Sequence, residues 1–318
     1  MAASFDTVDQ EWLIRFVEHR IGDKRIVRLI RKWLKAGVLE DGVVNASDRG
    51  TGQGAVISPL LANIYLHYAL DLWAESWRQH EAMGDMIIVR YADDFIVGFQ
   101  HEADARRFLE SMRERLAKFA LSLHPDKTRL IEFGRFAAAN RERRGLDKPE
   151  TFNFLGFTFI CGKSRQGKFL IHRKTRRDRM QAKLKDIKEG LWQRMHQPIS
   201  IQGKWLERVV KGYFNYHAVP TNSRALVVFR TEITKRWRRV LTRRSQKGGI
   251  SWGRMTKLAN DWLPRPSILH PWPNVRFAVT HPRWEKLWGG RRRSWHLHRP
   301  YEPMEVAPWP KSMISAEA

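Results

Sequence analysis

Two adjacent carboxylates, Asp93 and Asp94, stand between apolar runs in RYADDFIVGF, residues 90–99. A carboxylate in such company is expensive to bury unless something positive answers it. Residues 86–91 and 95–99 are short, apolar and β-branched, which predicts a hairpin with Ala92, Asp93 and Asp94 at its tip. A tight tip aims neighbouring carboxylates at one spot. Hard oxygen ligands in a cleft suit Mg2+, which keeps several waters and takes one or two carboxylates together with substrate phosphates. Two such ions roughly 4 Å apart activate a 3′ hydroxyl and stabilise a leaving pyrophosphate. Solvated turns also carry Asp-Asp pairs, so the dipeptide alone leaves both readings open.

The elements that must position this tip show in the apolar spacing. Residues 9–21 and 23–38 each read as an amphipathic helix, with Asp9 and Asp23 as N-caps and Gly37 ending the second. A Gly-rich loop, RGTGQGAVISPL, follows. Ser58 reads as the N-cap of a long helix reaching about Gln79, with Pro59 in its first turn. An amphipathic helix is predicted over 103–120, a strand over 128–133, a polar loop over 141–150, and a second hairpin from 152–160 and 168–171 around SRQG. Beyond Lys174 the pattern turns to helices rich in Arg and Lys, at about 174–195, 202–218, 222–245 and 251–263, the last stopped by Pro264 and Pro266. The fold class is therefore α+β followed by a nearly all-helical part, with no internal repeat.

Charge divides the chain in the same way. The 318 residues carry a net charge of +25. Residues 1–150 hold 23 basic and 23 acidic side chains, whereas 151–318 hold 35 basic and 10 acidic, along with 10 of the 14 tryptophans. A merely solvated face mixes both signs. A one-sided excess interleaved with aromatics reads as a polyanion-binding surface, with nucleic acid the first candidate and a generally sticky basic tail the bland alternative. The single cysteine, Cys161, excludes an intrachain disulfide and any zinc site built on paired cysteines, and suits a reducing cytoplasm. No apolar run approaches the roughly 20 residues of a membrane span, so no membrane partner is expected.

Four segments together carry a resemblance. RYADD, GTGQGAVISPLLANIYL from Gly50, LHPDKTRLIEFGRFA from Leu123 and FNFLGFTF from Phe152 resemble, in order and spacing, motifs of the group II intron reverse transcriptase/maturase family. Helices after Lys174, including KGYFNYHAVPTNSRAL, look like its thumb or maturase domain, and the likeness runs from Phe5 to about Arg283.

The resemblance implies an RNA-directed DNA polymerase and RNA splicing maturase. Its palm, an antiparallel sheet with helices, would occupy 1–171. A helical thumb would occupy 172–263, and a basic Pro- and Trp-rich tail 264–318. Asp93 would be the metal-ligating carboxylate and Asp94 its weaker neighbour, with Mg2+ as cofactor. Gln53 and Gly54 would lie along incoming nucleotide and template, and Lys127 near nucleotide phosphates, although a lysine there is ordinarily solvated. Leu155 and Gly156 would contact the primer. Phe5 would screen the sugar 2′ position, with a core phenylalanine nearly as good a reading. Intron RNA, a DNA primer or target and dNTPs would be the partners; the oligomeric state is left open.

The resemblance also implies a first catalytic aspartate six residues before Asp6, one position ahead of Met1, and a fingers domain ahead of that. The expectation is a fragment, a late start or a degenerate copy. Asp6 and Asp9 are the nearest substitutes, and Asp9 reads as a helix cap. No endonuclease is expected in 264–318, where His296 and His298 lack acidic or thiolate neighbours. An RNA-binding protein without polymerase chemistry, or an inactive chain, are the competing expectations.

Overall fold

A computed structural model describes residues 8–35, 57–244, 249–273, 275 and 276, and the backbone of two short strands between the first two of these spans. The described residues belong to the first of two units, Met1–Phe277 and Ala278–Ala318. The fold is mixed, with small antiparallel sheets among helices.

Helix α1 (Gln10–Glu18) starts at Asp9, whose carboxylate accepts from the backbone N–H of Glu11 and Trp12 at 2.9 and 3.0 Å. That satisfies two donors the helix leaves open. Asp9 is thus engaged as a cap. Asp23 accepts from the N–H of Arg25 at 2.8 Å at the start of α2 (Lys24–Lys35), which buries Val27, Ile30 and Leu34 at helical spacing. The expected end of this helix at Gly37 lies outside the described residues. Strands β1 (Val38–Glu40) and β2 (Val43–Asn45), which the apolar spacing did not predict, pair antiparallel.

The expected long helix is one rod in three parts: α3 (Ser58–Leu66), a π-helical turn over His67–Asp71, and α4 (Leu72–His80). Its cap position is Ile57, with Ser58 already helical, a correction of one residue. The rod buries Leu61, Tyr65, Ala69 and Leu70 completely or nearly so. Phe16 of α1 stacks on Tyr68 with ring centroids 4.7 Å apart. Strands β3 (Met86–Tyr91) and β4 (Asp94–Phe99) form the predicted hairpin, and α5 (Glu102–Ala117) packs Phe108, Met112 and Leu116 into the same core. Asp104, buried at the start of α5, accepts from the N–H of Met83 and Gly84 at 3.0 and 3.1 Å and pairs with Arg107 at 2.7 Å. It thereby fixes the chain entering β3. Its carboxyl lies below the usual range, chiefly through the Arg107 hydrogen bond.

Residues 128–133 form no strand. Strand propensity expresses itself only where a partner edge accepts it. Here side chains hold the segment instead: Phe133 packs edge-on against Phe152 at 4.8 Å, Arg129 pairs with Glu150, and Glu132 pairs with Arg144. The predicted polar loop begins inside a short helix, α6 (Ala137–Arg143), which the alanines of FAAANRER favour.

Strands β5 (Phe152–Phe154), β6 (Phe157–Lys163) and β7 (Phe169–Thr175) make a three-stranded antiparallel sheet. The run predicted as one strand is split at Leu155 and Gly156. Helices α7 (Arg177–Gln193), α8 (Ile199–His217), α9 (Ser223–Thr242) and α10 (Trp252–Trp262) agree with the predicted four within a few residues. Their core centres on Leu191, Leu206, Phe229, Ile233, Trp237 and Met255. Asn222, buried at the α8–α9 turn, accepts from the N–H of Thr175 at 2.9 Å and donates to its hydroxyl at 2.7 Å, which sews β7 to the bundle. Among the described residues no helix is long and apolar enough to cross a membrane.

Candidate active site

The hairpin register pairs Tyr91 with Asp94, so the tip is only Ala92 and Asp93. Two-residue tips need positive φ, which Gly and Asn adopt most easily. Here Ala92 takes it, at φ 52°. A non-glycine residue held there costs about 1–3 kcal/mol and persists only when its surroundings impose it.

Those surroundings are Arg90 and two side chains of the long rod. Arg90 donates through Nε and Nη2 to both oxygens of Asp71, at 2.7 and 2.6 Å. Through Nη1 it donates to Asn63 Oδ1 and to the carbonyl of Ala92, both at 2.8 Å. The positive charge beside the acidic tip therefore answers Asp71, not Asp93 or Asp94. The π-helical turn makes this possible. At 3.6 residues per turn, positions 63 and 71 would lie about 80° apart around an α-helix. One inserted residue takes back roughly 100° and brings them near one line.

Burial pushes the Asp71 carboxyl up, but hydrogen bonds and charge from His67 and Arg90 outweigh it, so the net position is below the usual carboxylate range. Its folded value thus lies under its unfolded 3.8, and its contribution to stability is full above that pH and lost as pH falls through the lower folded value. Amide exchange of the hairpin in wild type and Asp71→Asn should differ by a constant factor above pH 4 and converge as the pH drops below 3.8. A gap that persists at lower pH would mean that Asp71 acts through shape and not charge.

Asp93 is half-buried and Asp94 exposed, and neither carboxylate has a hydrogen bond or ion pair among the described residues. Asp93 lines a small, mostly apolar pocket walled by Pro59, Ala62, Asn63 and Leu66 of α3, with Val8 and Leu121. Two unengaged, adjacent carboxylates are a donor set that fits a hard divalent cation which completes its shell with water and substrate oxygen. No cluster of three or more His, Cys, Asp or Glu occurs among the described residues.

Of the other predicted positions, Lys127, Leu155 and Gly156 are among the described residues. Lys127 is exposed in a turn, its N–H donating to the His124 carbonyl at 3.2 Å. Leu155 and Gly156, at φ 46° and 75°, form the two-residue turn between β5 and β6. The Tyr216 hydroxyl of α8 donates to the Leu155 carbonyl at 2.9 Å, and the N–H of Arg176 donates to that of Gly156 at 3.0 Å. The turn is thus fixed from the helical bundle. Phe5, Gln53 and Gly54 lie outside the described residues.

The sequence reading passed over Asn63, Asp71 and Arg90 as site residues. One signal was present: Asp71 interrupts an apolar run, YALDLW, so the argument that singled out Asp93 applied to it as well. The Arg–Trp interleaving is in part internal. Arg194 stacks on Trp205, Arg238 on Trp252 and Arg243 on Trp192, with the guanidinium carbon 4.5–4.9 Å from the ring centre.

Residues 1–159 match the family described as reverse transcriptase (RNA-dependent DNA polymerase). Protein YkfC of Escherichia coli (strain K12) is 30% identical over 203 residues, covering 54% of this chain and 48% of that protein. The group II intron-encoded protein LtrA of Lactococcus lactis subsp. cremoris is 48% identical over 63 residues, 20% of this chain and 10% of LtrA. A putative COX1/OXI3 intron 1 protein of Saccharomyces cerevisiae is 23% identical over 291 residues, 70% of this chain and 34% of that protein. The chain belongs to the reverse transcriptase family, in its group II intron reverse transcriptase/maturase branch. It spans about half or less of the length of these curated relatives.

Proposed function

We propose that the protein acts as an RNA-directed DNA polymerase and RNA splicing maturase on a group II intron, with Mg2+ held by Asp93 and Asp94. The observation that carries this is the unengaged carboxylate pair on a hairpin whose tip is clamped from the neighbouring helix. Asp93 is the principal ligand in this reading because it faces the α3 pocket, and Asp94, exposed on the strand, is the weaker one. Mg2+ supplies Lewis-acid stabilisation of charge on the transferring phosphoryl group when bound. The chain's own residues bind and orient. Lys127 reaches from its solvent-exposed turn towards dNTP phosphates. Gln53 and Gly54 lie along nucleotide and template, and Phe5 screens the sugar. The Leu155-Gly156 turn, with both carbonyls already engaged, has its amide donors left for the primer backbone.

In the same reading, 1–171 is the palm, 172–263 the thumb that holds intron RNA, and 264–318 a basic tail on target DNA, all in the cytoplasm. Two measurements test it. Oligo(dT) annealed to poly(rA) should be elongated in a reaction that needs both dTTP and Mg2+; no elongation on any RNA template contradicts the polymerase reading. Structured intron RNA should bind with an affinity that falls about tenfold or more between 50 and 200 mM salt, because contacts to phosphates release condensed counterions. Salt-insensitive binding would mean that the basic helices are only solvated.

A further inference from the structure

Arg90, Asp71 and Asn63 close a set of hydrogen bonds that ends on the backbone of the tip, and the proposed chemistry does not use any of the three. Arg90 is only 16% exposed at its side chain and spends its guanidinium on Asp71, Asn63 and the Ala92 carbonyl. We infer that Arg90, anchored by Asp71 and Asn63, is a positioning residue that holds Ala92 left-handed and thereby sets where the Asp93 carboxylate stands. The inference rests on the proposed role of Asp93 for its link to metal, though its structural half stands independently.

Three observations converge on it. First, an Ala-Asp tip lacks the Gly or Asn that would hold positive φ unaided, so something outside the tip must hold it. The bond from Arg90 to the Ala92 carbonyl acts at the residue that needs it. Second, Arg90 is itself fixed in a planar, two-bond pairing that admits one orientation, which a lysine could not reproduce while also reaching Ala92. Third, Arg90 and Asp71 neutralise each other, with His67 Nδ1 3.5 Å from Asp71 as the other titratable neighbour. The clamp therefore adds no net repulsion to a cation at the tip and withdraws no charge from Asp93 and Asp94. The π-helical turn belongs to the same device, since it brings Asp71 into line with Asn63.

The full chain would be compared as wild type, Arg90→Gln, Arg90→Lys, and Arg90→Gln combined with Ala92→Gly. Amide exchange at Ala92 to Asp94, Mn2+ affinity by electron paramagnetic resonance, and the kcat and KM of primer extension would be read. Arg90→Gln should speed exchange at the tip by about tenfold and weaken Mn2+ by about five- to tenfold, lowering kcat far more than the KM for dNTP. Arg90→Lys should fall between. The glycine should restore a good part of both Mn2+ affinity and kcat in the Arg90→Gln background, because glycine needs no clamp to adopt positive φ. Exchange and Mn2+ affinity within about twofold of wild type in Arg90→Gln, or no rescue by glycine in a folded double variant, would overturn the inference. If Arg90→Gln does not fold, the Arg90→Lys chain decides by the same exchange and affinity criteria. If wild type itself binds no Mn2+ at the tip, the proposed function fails; exchange at the tip still decides the clamp.

Discussion

Replacing Asp93 by alanine is expected to remove primer extension by at least about 1,000-fold, some 4 kcal/mol of transition-state stabilisation. The residue is half-buried, unengaged, and directed along the α3 pocket by a tip that is fixed at Ala92. A carboxylate in that place cannot be replaced by water without loss of cation affinity and direction together. Asp94→Ala is expected to be milder, by about 10- to 100-fold, because Asp94 is exposed and lies outside the pocket lining. The fold should survive both, since neither side chain makes a bond that stabilises the hairpin. Steady-state extension on poly(rA)/oligo(dT) with Mg2+, alongside circular dichroism to confirm folding, checks the pair. Full activity in Asp93→Ala would remove the residue from the chemistry, and an equal loss in the two would remove the ranking between them.

The largest stability effect is expected in the helical bundle. Gln202 is fully buried. Its amide nitrogen donates to the carbonyls of Arg194, Met195 and Gln197 at 2.8, 3.2 and 3.2 Å, which ties off the turn between α7 and α8. Its oxygen accepts the indole N–H of buried Trp237 at 2.8 Å. Leucine at this position fills similar space but leaves the Trp237 indole donor and the Met195 carbonyl without partners, while the Arg194 and Gln197 carbonyls keep the N–H of Gln197 and the Arg244 guanidinium. A buried polar group left unpaired costs about 1–3 kcal/mol, so Gln202→Leu should cost about 3–5 kcal/mol, a large part of a domain's 5–15. Urea unfolding followed by tryptophan fluorescence would show it as a lower midpoint. An unchanged midpoint would mean that water or a shifted turn satisfies these groups. A neighbouring contact bears on the same packing: a Cβ on Gly203 would run into the Trp262 ring, so α8 and α10 approach this closely because that position is glycine.

Much of this was legible before the structure because the signals were local. Asp9 and Asp23 mark helix starts through the donors they satisfy, and the short β-branched apolar runs over 86–91 and 95–99 mark a hairpin whichever residues surround them. The residues 128–133 carried a similar apolar pattern and yet form no strand, because pairing needs an edge in space, which spacing cannot supply. The turn at Leu155 and Gly156 was hidden inside one apolar run; its positive φ at leucine is fixed from Tyr216, 61 residues further along. The clamp was hidden for the same reason. Its partners stand 19 and 27 residues from Arg90 and meet only through a π-helical insertion that no simple periodicity announces. The carboxylates could be found from their cost in apolar sequence, whereas the groups that aim them could not.

The claim that Asp93 and Asp94 form a divalent-cation site is tested most directly without any turnover. Mn2+ added to 15N-labelled protein should broaden the amide signals of Ala92, Asp93 and Asp94 first, with those of Asn63 and Leu66 on the pocket wall next. The same titration of Asp93→Asn combined with Asp94→Asn should leave these signals sharp. Broadening that begins elsewhere, or a tip that stays sharp in wild type up to millimolar Mn2+, would contradict the assignment.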